Sequence, residues 1–471
     1  MQHDFLLNNK TFRQDKKNYQ TLRGLGLKSN DYICAIYNLN FKNNTLYKMP
    51  KILITGNGFD LNLNLPTAYQ DFIRITSFVQ ATNVKKWKFD DVYKNVGDWK
   101  YNKLKENIDK DFSFDKNNIE ALKEKIIGNV WFDFFETELE IETWIDFETK
   151  INYVLNIIVD STTLINRILF LTNQETNPKY PKGQIISSLL NGNVEYYKIL
   201  TTFQLITIND YAKTEEINEE YLIQKYDSFL GFNHEKITNF LHEQLNEFIE
   251  IFCMYFRIFV YPLYDYVKQH VNNDWFKEID YHFTFNYTPS FEKLYNSSKK
   301  TKTFFLHGKI ESDKNNIVLG VNEMPESVIN RKFYFPFTKY YQKLNKDTDY
   351  QFLNTLKYRD TMNIELYIWG HSLDISDADY INEIFDFIDK KKKDIQTVRK
   401  IVVIYHNKDS KSNLLLNLLH IRGKNDIESK MKDEKLLFIE STSSELKTLL
   451  NKELEPDYNS SYRPVAPSIS Y

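Results

Sequence analysis

Met49-Pro50-Lys51-Ile52-Leu53-Ile54-Thr55-Gly56-Asn57-Gly58 is the stretch on which the fold turns. Ile52-Leu53-Ile54 is a short apolar run that ends in Gly-Asn-Gly, which reads as a buried strand entering a turn. Further on, Pro66-Thr67-Ala68-Tyr69-Gln70 places Thr67 three residues before Gln70, the spacing of a capping box, so a helix is expected from about Ala68. Strand, glycine turn and helix thus follow in the order that nucleotide-binding α/β proteins use. Because the strand follows Met49 directly, that methionine is expected to be the true start. Residues 1–48 mix Asn, Lys, Tyr and Gln with little periodicity and carry no signal-peptide pattern, and are expected to be a non-native extension, the alternative being a mobile N-terminal arm.

Working outward, residues 67–280 read as mainly helical, with long amphipathic patterns over Phe132 to Ile158 and Ile237 to Tyr266 and a loop over Asn173 to Gly183. Strand signals return at Tyr281 to Tyr287, Lys302 to Leu306, Ile317 to Leu319, Ile364 to Trp369, Ile401 to Tyr405 and Leu436 to Ile439. Helical stretches, Ala378 to Asp389 and Asn413 to Ile421, separate the last three. Such alternation is the mark of a parallel sheet with both faces covered. The expected fold is α/β, with a mostly parallel sheet from 49–66 and 281–456. A large helical insertion, 67–280, would roof a pocket at the carboxyl ends of the strands. The tail, 457–471, is expected to be mobile.

Composition excludes several classes. Of the 471 residues, 42% are hydrophobic, enough for a real core, so wholesale disorder is ruled out. Sixty-one Lys and Arg against 64 Asp and Glu give a net charge of -3, which argues against a nucleic-acid coat or a polybasic membrane binder. The two cysteines, Cys34 and Cys253, cannot build a four-cysteine zinc site or a disulfide framework, so no zinc is expected and a reducing, cytoplasmic location is. No apolar run reaches the roughly 18 residues of a membrane span. Homo-oligomerisation is left open.

Five of the 13 glycines, Gly56, Gly58, Gly308, Gly320 and Gly370, fall just after expected strands. Glycine there permits the close backbone approach that a cradled phosphate needs, although strand ends favour glycine turns in any case. Polar groups accompany these turns: Asn57 and Asp60, His307, Asn322, and His371 with Ser372. Asn286 ends another strand in Phe285-Asn286-Tyr287-Thr288. In a parallel sheet all of these side chains would collect along one edge. His234, His242 and His270 lie in helical patterns without zinc spacing, while His282 and His420 read as structural. Two other features compete. Asp146 and Glu148, with Glu136, Glu138, Glu140 and Glu142, could hold Mg²⁺ in a nuclease, yet helical i and i+2 positions do not face one way. Such a run is more often a solvated face, and Asp146 or Glu148 could instead pair with the pocket edge and close the roof. Phe333-Tyr334-Phe335-Pro336-Phe337-Thr338-Lys339-Tyr340-Tyr341 could be a partner interface or a stacking platform, as in an inactive sensing module, or plain core packing.

Taken together, the blocks Ile54-Thr55-Gly56-Asn57-Gly58-Phe59-Asp60-Leu61 with Leu65-Pro66-Thr67-Ala68-Tyr69, Trp144-Ile145-Asp146-Phe147-Glu148, Phe285-Asn286-Tyr287-Thr288, Leu306-His307-Gly308 and Gly370-His371-Ser372-Leu373 resemble the AbiH proteins of bacterial abortive infection against phage. The chain is more distantly similar to sirtuin-like NAD-binding domains, which implies a Rossmann-like sheet and NAD as substrate or ligand. On that resemblance Gly56 and Gly58 would turn backbone N–H groups to a pyrophosphate, and Asn286 would orient the nicotinamide ribose or a water. His307 would be the acid/base, with Gly308 beside it. Ser372, after Gly370 and His371, would hold the adenosine half together with Asn407 of His406-Asn407. Asp60, near the turn by Thr67, would bind a ribose hydroxyl or a cation. Thr288 stands where the sirtuin pattern has Asp, and the missing cysteines argue against protein deacylation. The resemblance therefore implies a phage-triggered enzyme that consumes NAD or a related nucleotide.

Overall fold

Six short apolar runs form one sheet in the structure, a computed structural model that describes residues 50–94, 101–138, 144–173, 193–209, 214–225, 228–296, 298–311, 316–321, 332–346, 352–353, 363–389 and 399–452. The strands are β1 (Lys51–Thr55), β2 (Tyr281–Thr284), β3 (Lys302–Phe305), β4 (Ile364–Trp369), β5 (Arg399–Tyr405) and β6 (Leu436–Glu440). Their order across the sheet is β6-β5-β4-β1-β2-β3, and every neighbouring pair is parallel. From β1 the chain steps outward to β3, then crosses back to the other side of β1 and steps outward again to β6. The topological switch point therefore lies between β1 and β4.

Alternation along the strands builds the two faces. Ile52 and Ile54 of β1 pack with Phe283, Leu366, Ile368, Ile401 and Val403 on one side. Leu53 joins Tyr367, Trp369, Val402 and Ile404 on the other. Burying each such aliphatic side chain is worth roughly 1.5–3 kcal/mol, which makes the doubly covered centre the stable part of the fold. Helices α6 (Ala378–Asp389) and α7 (Lys408–Arg422) cover the first face through Ile381, Ile384, Phe385 and Leu418. Helix α8 (Ser444–Asn451) covers the second through Leu446 and Leu450.

Between β1 and β2 lie α1 (Asn57–Asn62), α2 (Tyr69–Ala81), α3 (Trp144–Asn173) and α4 (His234–Tyr255), together with shorter helices. The insertion is not purely helical, since it also carries three two-stranded antiparallel ribbons. Lys51–Asn451 forms one compact unit. The expected extension (1–48), the tail (457–471), most of the loop expected over Asn173 to Gly183, and Asn322 fall outside the described residues.

Several expected boundaries shift for identifiable reasons. Helix α2 starts at Tyr69, with Ala68 as its N-cap and the Asp71 carboxylate accepting from the Ala68 N–H at 3.3 Å. Thr67 is instead held in the preceding turn, where its carbonyl accepts from Asn57 Nδ2 at 3.1 Å. The pattern over Ile237 to Tyr266 breaks after Tyr255 into a π turn, Phe256–Val260. Pro262 follows, and its ring excludes the regular carbonyl four residues back. Ile317 to Leu319 is no strand: Gln342 of α5 (Lys339–Asn345) bonds both the N–H and the C=O of Leu319, taking the place of a neighbouring strand. Among the described residues no helix is long and apolar enough to cross a membrane.

The turn after β4 has little tolerance. Gly370 has φ +70°, and a Cβ there would lie 2.0 Å from the Phe59 nitrogen. Gly370→Ala is therefore expected to cost at least about 3 kcal/mol in urea denaturation. Gly128→Ala, at φ +83° but with open space around it, should cost only about 1 kcal/mol. Equal effects of the two substitutions would show that the turns do not interlock.

Candidate functional site

A cavity of about 740 Å³ opens outside the carboxyl ends of the strands. Its wall includes Gly56, Asn57, Gly58 and Asp60 from the β1 turn, Asn286 after β2, His307 after β3, and Gly370, His371 and Ser372 after β4. Residues separated by more than 300 positions in the chain thus share one space, because each follows a strand of the same parallel sheet. Thr67, Gly308 and Asn407 are not part of that wall. Gly308 serves the backbone instead: φ is +86°, and a Cβ would collide with the Asn316 carbonyl oxygen at 2.1 Å. Asn407 is the N-cap of α7, with its Oδ1 accepting from the Ser410 N–H at 2.8 Å, while His406 and Ser410 on either side line the cavity.

The glycine turn does something other than face a pyrophosphate. Gly56 N–H donates to Trp369 O at 3.1 Å and Gly58 N–H donates to Gly370 O at 2.8 Å. Cβ atoms on Gly56 and Gly58 would lie 2.7 and 2.8 Å from Gly370 or His371 backbone atoms. The glycines let two turns interlock, and their donors are already engaged. Both glycines still line the cavity, but their own N–H groups bond the opposing turn.

Asp60 is fully buried at the base of α1. Its Oδ2 accepts from the Thr288 hydroxyl, while Oδ1 is buried without a hydrogen bond of ordinary geometry among the described residues. Burial pushes the carboxyl up to about 6, against the pull of the Thr288 and Ser290 hydroxyls and the Asn286 amide. Thr288, which departs from the sirtuin pattern, is thus the partner of Asp60. Asn286 is set by its backbone N–H, which donates to Thr284 Oγ1 at 2.9 Å, and Thr284 in turn bonds Thr55 at 3.0 Å. His282 bonds the same Thr55 hydroxyl at 2.9 Å, and burial pushes its ring down to about 3, so it is a neutral structural group.

His307 and His371 both pack against the Phe285 ring, with centroids 5.3 and 4.2 Å from it. Both imidazoles reach Asp377: His371 Nε2 lies 3.4 Å from Oδ2 and His307 Nε2 lies 3.8 Å from Oδ1. Burial and the positive charges of Lys339 and Lys343 hold His307 well below its ordinary value, so its ring is neutral at physiological pH. Burial also opposes the Asp377 charge, but the His371 hydrogen bond and the Lys339 ammonium outweigh it and hold that carboxyl well below the usual range. Lys339 Nζ pairs with Glu148 Oε2 at 2.7 Å and stands 3.9 Å from Asp377 Oδ1. Burial pushes Glu148 up to about 7 against the pull of Lys339.

Three wall residues were missed as site residues by sequence reasoning or read otherwise. Glu148, on α3, makes the pairing from insertion to pocket edge that was one of the uses weighed for it. Lys339 sits inside the aromatic run, where its neighbours drew attention. Phe333, Tyr334 and Phe337 of that run are buried core. Asp377 closes Asp374-Ile375-Ser376-Asp377, a sequence that reads as an ordinary helix entry, and Asp374 does cap that turn.

An open, all-parallel α/β protein with its cavity at the strand ends is the class that fold and site define. Within that class, the chain belongs to the family described as bacteriophage abortive infection AbiH, which residues 52–398 match. Membership indicates a role in abortive-infection defence against bacteriophage. No curated protein matches the chain.

The buried Asp60 supplies a test. Its folded value, about 6, lies above the ordinary value of 3.8, so folding is penalised wherever the carboxyl is ionised. That penalty develops between about pH 4 and 6 and is complete above pH 6, where it amounts to about 2–3 kcal/mol. Asp60→Asn should therefore be more stable than the parent at pH 8 in urea denaturation, with the advantage shrinking at pH 5. A variant less stable than the parent at pH 8 contradicts the buried-charge account.

Proposed function

We propose that this phage-defence protein binds NAD, or a related nucleotide, in the sheet-edge cavity and hydrolyses its ribosyl–nicotinamide bond. The observation that carries the reading is the fully buried Asp60 carboxylate, one oxygen of which has no hydrogen bond of ordinary geometry among the described residues, in the same cavity wall as a neutral His307 and Asn286. The strand order β3-β2-β1-β4-β5-β6 is that of Rossmann-like dinucleotide-binding sheets, and a volume of about 740 Å³ suits a small-molecule ligand.

The chemistry follows from these groups. The C1′–N bond breaks with both electrons passing to the nicotinamide nitrogen, which leaves neutral, while positive charge develops on the ribose. A buried carboxylate stabilises that charge far more than water does, because the surrounding dielectric is low. The oxygen of a water molecule bonds C1′ and one of its protons passes to the neutral His307 imidazole, help that is typically worth about 10²–10⁴ in rate. The Asn286 amide, both donor and acceptor, orients the ribose or the water. The adenosine half lies toward Ser372, His406, Ser410, Asn413 and Asn417, with Ser410 in the place expected for Asn407. A phage-derived trigger would release this activity, and loss of NAD would halt the infected cell.

The nuclease alternative finds less support. Glu148, one of the carboxylates weighed for a metal, is engaged by Lys339, while Glu140 and Glu142 of that acidic run lie outside the described residues.

Incubating the purified chain with NAD should release nicotinamide, read by chromatography. His307→Ala and Asn286→Ala should each lower turnover by at least about 10²-fold with an unchanged thermal midpoint. Full activity in either folded variant, or nicked nucleic acid alongside intact NAD, would overturn the reading.

A further inference from the structure

We infer that Asp377 is the positioning residue of this site: its two carboxylate oxygens face the His371 and His307 rings, which come from opposite sides of the switch point, and set His307 to take a proton through Nδ1. The inference rests on the proposed hydrolysis for the identity of the reaction, and on geometry for the role of Asp377.

Each nitrogen of the pair can be assigned. Leu373 N–H donates to His371 Nδ1 at 2.9 Å, so that nitrogen is the acceptor and the ring proton resides on Nε2, facing Asp377 Oδ2 at 3.4 Å. The other carboxylate oxygen, Oδ1, faces His307 Nε2 at 3.8 Å. His307 Nε2 is buried and, among the described residues, has no hydrogen bond, with Asp377 Oδ1 standing 3.8 Å away. A small shift as substrate fills the cavity would bring Nε2–H onto Oδ1, leaving Nδ1 as the basic nitrogen. A carboxylate, a histidine whose tautomer it selects and a substrate proton beyond form one arrangement in which an imidazole acts as base.

The surroundings suit this role. Burial opposes protonation of His307 most, Lys339, Lys343 and His371 add to it, and the Asp377 carboxylate favours a proton on that ring. Glu148 neutralises Lys339 from the insertion side. Phe285, Tyr287 and Tyr380 complete the packing around His307 and bring no charge at neutral pH. Asp377 itself is placed by the turn Ile375–Asp377, in which Asp374 Oδ1 accepts from Ser376 N–H at 2.9 Å and Asp377 N–H donates to Asp374 O at 3.1 Å.

The deciding experiment titrates the imidazoles of the full chain by heteronuclear NMR, with no substrate present, in the parent and in Asp377→Asn. The expected result is a fall of at least about one pH unit in the protonation midpoint of His307. Unchanged midpoints and unchanged ring tautomers at His307 and His371 overturn the proposal. Steady-state kinetics form the second arm: Asp377→Asn should lower kcat for NAD cleavage by about 10²-fold or more while KM stays within about threefold. A raised KM with parental kcat would make Asp377 a binding residue and also overturn it. Should Asp377→Asn fail to fold, Asp377→Glu keeps the charge on a longer arm, and parental kcat in that folded variant overturns the proposal equally. If the parent leaves NAD intact, the functional reading fails, and the imidazole titration still decides the place of Asp377.

Discussion

Two backbone hydrogen bonds, Gly56 N–H to Trp369 O and Gly58 N–H to Gly370 O, tie the turn after β1 to the turn after β4. Everything that makes the cavity a site depends on that contact. It brings Asn57 and Asp60 beside His371 and Ser372, across the one place in the sheet where the chain reverses its direction of travel. It is possible only because none of Gly56, Gly58 and Gly370 carries a side chain: each added Cβ would meet backbone of the opposing turn. Close packing of two loops is thus achieved with the very donors that a phosphate-binding loop leaves open.

The insertion completes the wall that the sheet begins. Helix α3 sends Glu148 to Lys339, and Lys339 lies near Asp377, which touches both histidines. A chain of alternating charges thereby runs from the roof to the strand ends. Buried charges of this kind add little net stability, because desolvation offsets their attraction, but breaking one partner away is costly. Their value here is registry: they hold helices on separate elements at a defined distance from the sheet edge. The aliphatic layers on both faces of β1, β4 and β5 supply the stability against which such a site can be maintained.

The parallel sheet was legible in the sequence. Ile364 to Trp369 and Leu436 to Ile439 announce themselves as strands because buried parallel strands are continuous apolar runs, and the helices between them have clear periodicity. The collection of Asn57, Asn286, His307 and His371 along one edge followed from parallel pairing alone, since every one of them stands just past a strand. Ile317 to Leu319 shows the limit: it is apolar and short like a strand, yet its backbone is satisfied by the side chain of Gln342, a contact that no local pattern encodes.

Local chemistry in the chain therefore determined which segments become strands, that they run parallel, and which side chains lie at their carboxyl ends. Only the tertiary structure decided what those side chains do. Glycine after a strand is compatible with a phosphate cradle or with a loop–loop contact, and the partner turn three hundred residues away chose the second. Likewise Asp377 and Lys339 carry no signature in sequence, because their roles arise from distances to groups on other elements. Burial, which sets the Asp60 carboxyl and the His307 ring apart from their ordinary behaviour, is a property of the assembled wall and of no single segment.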